Sequence, residues 1–331
     1  MSSVSEPVRL GIVGTGRMAQ AFAAAVPQAR GLVLHAVASR RRDNAEEFAA
    51  RFGAAAACGG IDRMLEDDAV ELVYIASPHA MHCEQTLRCL EAGKHVLCEK
   101  PFAINADQAG RMIDLARAKN LFLMEAMWTR YIPAVVRLRE LLAEGILGRV
   151  SVVVAGGAFM PPFDPANYLF RPELGGGVLL DAGVYLVSWA SMLFGKPARV
   201  LATGRFGDSG VDEHDAVLLE RDDGSVAHLY VSLRAKRSPE VLLIGEHGSI
   251  RVHPPLFAPQ ALTVSLAAGE EQTITLPFAG SGYQFEAEEA AECIRGGRTE
   301  SALMPLDESL AIMGTLDEIR RQIALVYPME T

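Results

Sequence analysis

Three residues of this sequence have the side-chain types that move a proton at an alcohol. Lys100 follows a strand-like run, His95-Val96-Leu97-Cys98, inside the segment Cys98-Glu99-Lys100-Pro101. Asp181 and Tyr185 lie in the cluster Gly175-Gly176-Gly177-Val178-Leu179-Leu180-Asp181-Ala182-Gly183-Val184-Tyr185. Alcohol oxidation needs a base for the hydroxyl proton while a hydride leaves for a cofactor ring. A tyrosine, with an unperturbed pKa of about 10, is a poor base at neutral pH. A neighbouring ammonium favours its phenolate and lowers that pKa. In the reverse direction the neutral phenol donates. Taken singly, Lys100 reads as a turn lysine, Tyr185 as a core tyrosine and Asp181 as a helix N-cap.

The elements that must carry these residues begin with a nucleotide-binding pattern. Val8–Val13 predicts a buried strand, followed by Gly14-Thr15-Gly16-Arg17-Met18-Ala19 and a helical run to Ala25. In this GxGxxA turn Gly14 permits the tight bend and Gly16 a close approach to a pyrophosphate. Ala19 allows tight helix–strand packing, and the helix N-terminus faces the anion. A second strand over 32–38 ends in Ser39-Arg40-Arg41-Arg42. A free ribose 2′-hydroxyl usually meets an Asp or Glu there. A guanidinium instead suits a 2′-phosphate, so NADP is expected over NAD, with Ser39 and Arg40 as its partners. The strand over 72–76 runs into Ser77-Pro78-His79-Ala80-Met81-His82, at the carboxyl edge where ligands bind. Ser77, Pro78, His79, His82 and Glu99 join the cofactor-facing set, although packing explains His82 equally well. Helices are expected over 43–52, 84–92, 107–119 and 134–144, and a further strand over 122–124.

From Arg149 the texture changes to β-branched and alternating runs over 150–155, 198–205, 216–220, 226–233, 241–245 and 261–266. These predict a mostly antiparallel sheet, with a helix over 181–193 on one face. The expected class is therefore α/β: a Rossmann domain over 1–127, then an α+β domain over 128–331 with a large open sheet. Late helices over 283–295 and 306–326 are expected to return to the first domain. The Pro- and Gly-rich stretch 160–177 predicts an active-site loop, and Trp128, Arg130, Phe159 and Tyr168 are candidates to line a pocket for a ring.

The 331 residues suffice for two domains, and the net charge of −10 argues against nonspecific binding to nucleic acid or an anionic membrane. The five cysteines are odd in number and form no CxxC pair, which indicates neither a disulfide framework nor a zinc site. No metal is expected. The polar N-terminus, with no long apolar span after it, fits a reduced, cytoplasmic setting.

The combination of GxGxxA, Ser-Pro-His-x-x-His, Glu-Lys-Pro and Asp-x-Gly-x-Tyr resembles the Gfo/Idh/MocA oxidoreductase family along essentially the whole chain. Met124-Glu125-Ala126-Met127-Trp128-Thr129-Arg130-Tyr131 and the Gly-rich cluster resemble the branch of dimeric dihydrodiol dehydrogenase and NADP-dependent D-xylose dehydrogenase. The inositol dehydrogenase branch carries His where this chain has Tyr185. The resemblance implies hydride transfer between a nicotinamide and a carbon of a sugar or cyclic diol, with Lys100, Asp181 and Tyr185 as catalytic residues. It leaves Asp181 two roles, orienting Lys100 or binding a substrate hydroxyl. The i, i+4 spacing puts Asp181 and Tyr185 on one helix face. The resemblance also implies a homo-oligomer built on the open sheet. Two other readings share the pattern: an NADPH-dependent sugar carbonyl reductase like 1,5-anhydrofructose reductase, and a catalytically silent NADP-binding regulator.

Overall fold

The computed structural model describes residues 6–267, 269 and 271–330. Most of the polar N-terminal stretch, Met1 to Ser5, lies outside the described residues. The chain divides into two units, Met1–Trp128 with Ala279–Ser309, and Thr129–Phe278 with Leu310–Thr331.

The first unit holds six strands: β1 Val8–Val13, β2 Leu32–Ser39, β3 Ala56–Gly59, β4 Leu72–Ile75, β5 His95–Glu99 and β6 Leu123–Ala126. Their order is β3-β2-β1-β4-β5-β6, and every pair is parallel. A parallel sheet between helices reads as continuous apolar runs, and Leu10, Ile12, Leu72 and Ile75 are fully buried. The winding reverses between β1 and β4, the switch point at which such sheets open a crevice for ligands. The loops after those strands carry Gly14 and Ser77. The helix Tyr283–Arg295 belongs to this unit, where Glu288 meets the Arg30 guanidinium at 3.0 Å.

The second unit is built on eight strands: β7 Val150–Ala158, β8 Arg199–Phe206, β9 Asp212–Glu220, β10 Val226–Ser232, β11 Arg237–Gly245, β12 Gly248–Val252, β13 Ala261–Leu266 and β14 Gln272–Thr275. Their order is β14-β13-β12-β11-β7-β10-β9-β8. Only β7 and β10 run parallel; the other neighbours are antiparallel. The helix Val184–Phe194 packs on this sheet and buries Leu186, Val187 and Trp189, whose indole N–H donates to the Leu256 carbonyl at 3.2 Å. Apolar composition alone would let the segment Pro172–Phe194 cross a membrane, a span the sequence reading did not register; most of it is buried inside this unit.

The structure departs from the sequence expectations at several ends. The helix expected from Asp181 starts as a π-helical turn, Leu179–Gly183, and becomes α-helical only at Val184. Asp181 and Tyr185 therefore do not share the regular i, i+4 geometry of one α-helix, because the π turn widens the winding between them. The last helix ends at Ile323, where Ala324 turns to φ 60. The strands β3, β12 and β14, four or five residues each, carry too little alternation to register in the sequence.

The chain's end secures the glycine run that leads into the π turn. Tyr327 is fully buried, and its hydroxyl donates to the Gly176 carbonyl at 2.9 Å. Tyr327→Phe removes that donor and leaves the buried carbonyl without it. The expected loss is about 1–3 kcal/mol of stability, read as a lower midpoint in guanidinium denaturation. An unchanged midpoint would show that the bond contributes nothing.

Candidate active site

In the first unit the GxGxxA turn has the shape a pyrophosphate needs. Gly14 has φ +105, and a Cβ there would stand 2.7 Å from the Ala76 carbonyl oxygen, so only glycine fits. Gly16 faces open space, with nothing within 4 Å of a Cβ. It occupies the N-cap of the helix Arg17–Ala25, no side chain caps that end, and no acidic residue sits in the first turn. The N–H groups at Arg17 and Met18 are thus left for an anion. Thr15 accepts a hydrogen bond from the Gln20 amide through its carbonyl at 3.1 Å. These features fit a dinucleotide.

At the end of β2 one of the three arginines is already paired. Arg42 pairs with Glu46 at 2.8 Å. Arg40 is exposed and makes no hydrogen bond or ion pair among the described residues, beside the half-buried Ser39. Its guanidinium is available for a phosphate.

The Lys100 turn is pinned from three sides. Glu99 accepts from the Lys100 backbone N–H at 3.2 Å and from the Tyr74 hydroxyl. The buried Glu125 accepts from the Phe102 N–H at 3.1 Å. His82, fully buried, lies with Nδ1 2.8 Å from the Pro101 carbonyl and Nε2 3.0 Å from the Ser77 carbonyl. Burial lowers its pKa, and a neutral imidazole has one N–H to share between two acceptors. His82 thus ties the loop after β4 to the turn after β5, and its ring nitrogens are committed to backbone. The His79 ring stands edge-on to it at 5.7 Å, and Pro78 opens the short helical turn that follows. Lys100 itself is only 9% exposed.

Behind Glu99 lies a second acid that the motifs do not flag. Glu286 is fully buried, no donor among the described residues meets either of its oxygens, and burial together with Glu99 holds its pKa well above the carboxylate range. Burial and the neighbouring Glu99 thus favour its neutral form. The same surroundings push the Tyr74 and Tyr283 phenols up. For Glu125 a signal was present in the sequence: one carboxylate inside the apolar run Phe122-Leu123-Met124-Glu125-Ala126-Met127.

In the second unit the π turn presents Asp181, whose carboxylate accepts from the Tyr168 hydroxyl at 2.7 Å. Tyr185, half-buried in the first turn of the next helix, has its ring centroid 6.0 Å from that of Phe257. The loop after β7 exposes Phe159 at 36% and Phe163 at 63%, and the Phe163 ring meets Phe170 edge-on at 5.0 Å. A cavity of about 370 Å³ opens there, lined by Met160, Pro161, Phe163, Phe170 and Leu233, with Glu213 and Arg234 as polar members. Two candidates for a pocket wall make buried contacts within the fold. Arg130 is 2% exposed and donates to the Ser188 hydroxyl and carbonyl, bracing the helix Val184–Phe194. In the first unit Trp128 is almost fully buried and packs on Tyr283 at 4.3 Å.

Comparison with known proteins agrees with these two architectures. Residues 8–127 match the oxidoreductase family GFO_IDH_MocA, NAD-binding Rossmann fold, and residues 135–251 match the GFO/IDH/MocA C-terminal domain. The trans-1,2-dihydrobenzene-1,2-diol dehydrogenase of Mus musculus is 36% identical, covering 98% of this chain and 99% of that protein. The D-xylose 1-dehydrogenase (NADP(+)) of Hypocrea jecorina is 34% identical over 97% of this chain and 93% of its own length. Among solved structures, the 3-ketoreductase of Actinomadura kijaniata in complex with NADP and TDP-benzene superposes with a TM-score of 0.87 at 27% identity, covering 96% of this chain and 98% of that one. A lysine-to-alanine and a tyrosine-to-phenylalanine variant of that ketoreductase are also solved. On the two domain matches and the full-length relatives, this chain belongs to the Gfo/Idh/MocA oxidoreductase family.

Proposed function

We propose that this protein is an NADP-dependent oxidoreductase acting on a CH–OH group of a sugar or a cyclic diol. The observation that carries the reading is the agreement, along nearly the full chain, with dihydrodiol and NADP-dependent xylose dehydrogenases at about 35% identity. Gly14, Gly16 and the uncapped N–H groups at Arg17 and Met18 hold the pyrophosphate, and Arg40 with Ser39 holds the 2′-phosphate. Ser77, Pro78 and the Glu99–Lys100 turn form the wall toward the reacting end. When bound there, NADP supplies the two-electron acceptor for the hydrogen on the substrate carbon.

The remaining work falls to the chain's own residues. Tyr185 takes the proton of the substrate hydroxyl as its C–H bond breaks and the C=O bond forms. Lys100 takes the role the resemblance implies for it, a cation that favours a tyrosine phenolate. Asp181, its carboxylate steadied by Tyr168, binds a second substrate hydroxyl, and Phe159 faces the ring. Run backwards, the Tyr185 phenol donates a proton to a carbonyl oxygen, and the 3-ketoreductase relative favours keeping that direction in view. We place the protein in the cytoplasm on its five free cysteines. We assign self-association to the open sheet, which exposes Leu201 and Ile244.

Tyr185→Phe is expected to lower kcat by roughly a hundredfold or more while the Kd for NADP stays within about twofold of wild type. The assay is NADP+ reduction across aldoses, inositols and cyclic diols, paired with a binding titration. Wild-type turnover in this variant on a verified substrate would reject the role. Arg40→Ala is expected to raise the Kd for NADP about 10- to 100-fold, the loss of one or two charge-assisted hydrogen bonds, and to leave the Kd for NAD unchanged. Equal weakening of both cofactors would remove Arg40 from the 2′-phosphate.

A further inference from the structure

We propose that Asp212 is a positioning residue for Asp181 and Tyr185: its carboxylate, steadied by a proton shared with Asp215, grips the backbone at the start of the π turn, which bears Asp181 and leads into the helix that carries Tyr185. The inference rests on the catalytic reading of Tyr185 given above.

The geometry begins at the first residue of β9. Asp212 is fully buried, and its Oδ2 accepts from the Leu179 N–H at 2.6 Å, a contact 33 positions apart in sequence. The backbone N–H groups of Asp212 itself and of Val178 also lower the pKa of that carboxylate. The Leu179 and Val178 N–H groups are among those that a helix start leaves without internal partners, and no side chain of the turn's own N-cap, Val178, supplies a bond. An anion at this end also meets the positive pole of the helix that follows. Gly177 has φ +108, and any Cβ there would collide with the Asp212 carboxylate. The glycine run before the π turn is thus shaped around Asp212.

Asp215 explains how such a charge stays in place. It too is fully buried, and no donor among the described residues reaches either of its oxygens or Oδ1 of Asp212. One proton held between the two carboxyls links Asp212 Oδ1 to one Asp215 oxygen. Burial raises both pKa values, but backbone donors oppose that at Asp212, so it keeps the charge and Asp215 carries the proton. Its pKa is raised to about 9 by burial first and by the neighbouring Asp212 charge second. The groups around Asp215 do not offer an alternative partner. Gly204 and Val231 lie opposite it on β8 and β10, and Leu179 and Gly183 of the π turn share a small cavity wall with it. Tyr327 and Arg320 lie in the same electrostatic surroundings, but the Arg320 guanidinium pairs with Asp317 and Glu330.

The sign of the pH effect follows. An unfolded Asp215 titrates near 3.8 and the native one at about 9. Its stabilising effect is complete below the lower value and is lost progressively as pH rises to the upper one. Above it the native pair carries two charges, Asp212 is pushed off the turn, and Tyr185 loses its placement.

The test is a set of variants of the full-length protein assayed from about pH 6 to about pH 10.5, a range that spans this titration. Asp212→Ala is expected to lower kcat roughly 10- to 100-fold, the cost of an ångström-scale misplacement, while the Kd for NADP is unchanged. Asp215→Asn keeps a neutral donor beside Asp212. Its activity at neutral pH should stay within about twofold of wild type, its loss of kcat above pH 9 should vanish, and its melting temperature should rise more at pH 8 than at pH 4. Infrared spectra at neutral pH should show a protonated-carboxyl C=O band in wild type that Asp215→Asn lacks. Should Asp212→Ala fail to fold, the Asp215→Asn profile and the infrared band decide. A wild-type pH profile in Asp215→Asn, or wild-type kcat in Asp212→Ala, overturns the inference. Tyr185→Phe runs alongside: if it turns over normally, the catalytic reading itself falls, whereas an inactive Tyr185→Phe with a normal Asp212→Ala removes the positioning role alone.

Discussion

A carboxylate taken out of water keeps its charge only where donors meet it. Each unit of this chain holds a pair of neighbouring buried acids that it treats unequally. In the first, Glu99 receives the Tyr74 hydroxyl and the Lys100 N–H, while Glu286 receives no donor among the described residues and its pKa is pushed well up. In the second, Asp212 receives the Leu179 N–H, and Asp215 keeps the proton. In each pair the member with donors holds backbone beside a candidate catalytic residue, and the member without them has the raised pKa. A fixed negative charge at a fixed place is what the Lys100 turn and the π turn have in common.

Such an arrangement trades stability for placement. A neutral acid in the interior titrates far above its unfolded value, so the native state forgoes the ionisation that the unfolded chain gains at neutral pH. Apolar residues of similar size would avoid that loss. The return is rigidity at the two positions where it matters. The Glu99–Phe102 backbone is fixed by Glu99, Glu125 and His82 together, and the π turn by Asp212 and the Tyr327–Gly176 bond. Groups held this way sit close to their working geometry before a substrate arrives.

What was legible in the sequence was what is local. The GxGxxA turn, its flanking strand and helix, and the arginines after β2 depend on neighbours within a few residues, and the structure has them where the pattern puts them. The change of texture at Arg149 announced the second sheet for the same reason, since alternation is read one strand at a time. The π turn was not legible, because its first N–H is held by Asp212, and no helical or strand periodicity links positions 179 and 212. Glu286, Tyr74 and the Tyr168–Asp181 bond were hidden likewise: each joins residues that only the folded chain brings together. The short strands β3, β12 and β14 fell below the length at which alternation separates strand from loop.

The arginines show the same division within one residue type. Arg40 and Arg130 are alike as letters, and both were candidates to meet a ligand. Arg130 is enclosed, and its guanidinium is spent on Ser188, where it braces the helix behind Tyr185. Arg40 is exposed at the carboxyl edge of a parallel sheet, with Arg42 beside it neutralised by Glu46. A guanidinium already surrounded by acceptors gains little from a ligand, whereas one left in water beside a dinucleotide turn gains a bidentate partner when a phosphate arrives. The fold leaves Arg40 and Arg41 in water and pairs Arg42, a difference that the count of arginines after β2 does not reveal.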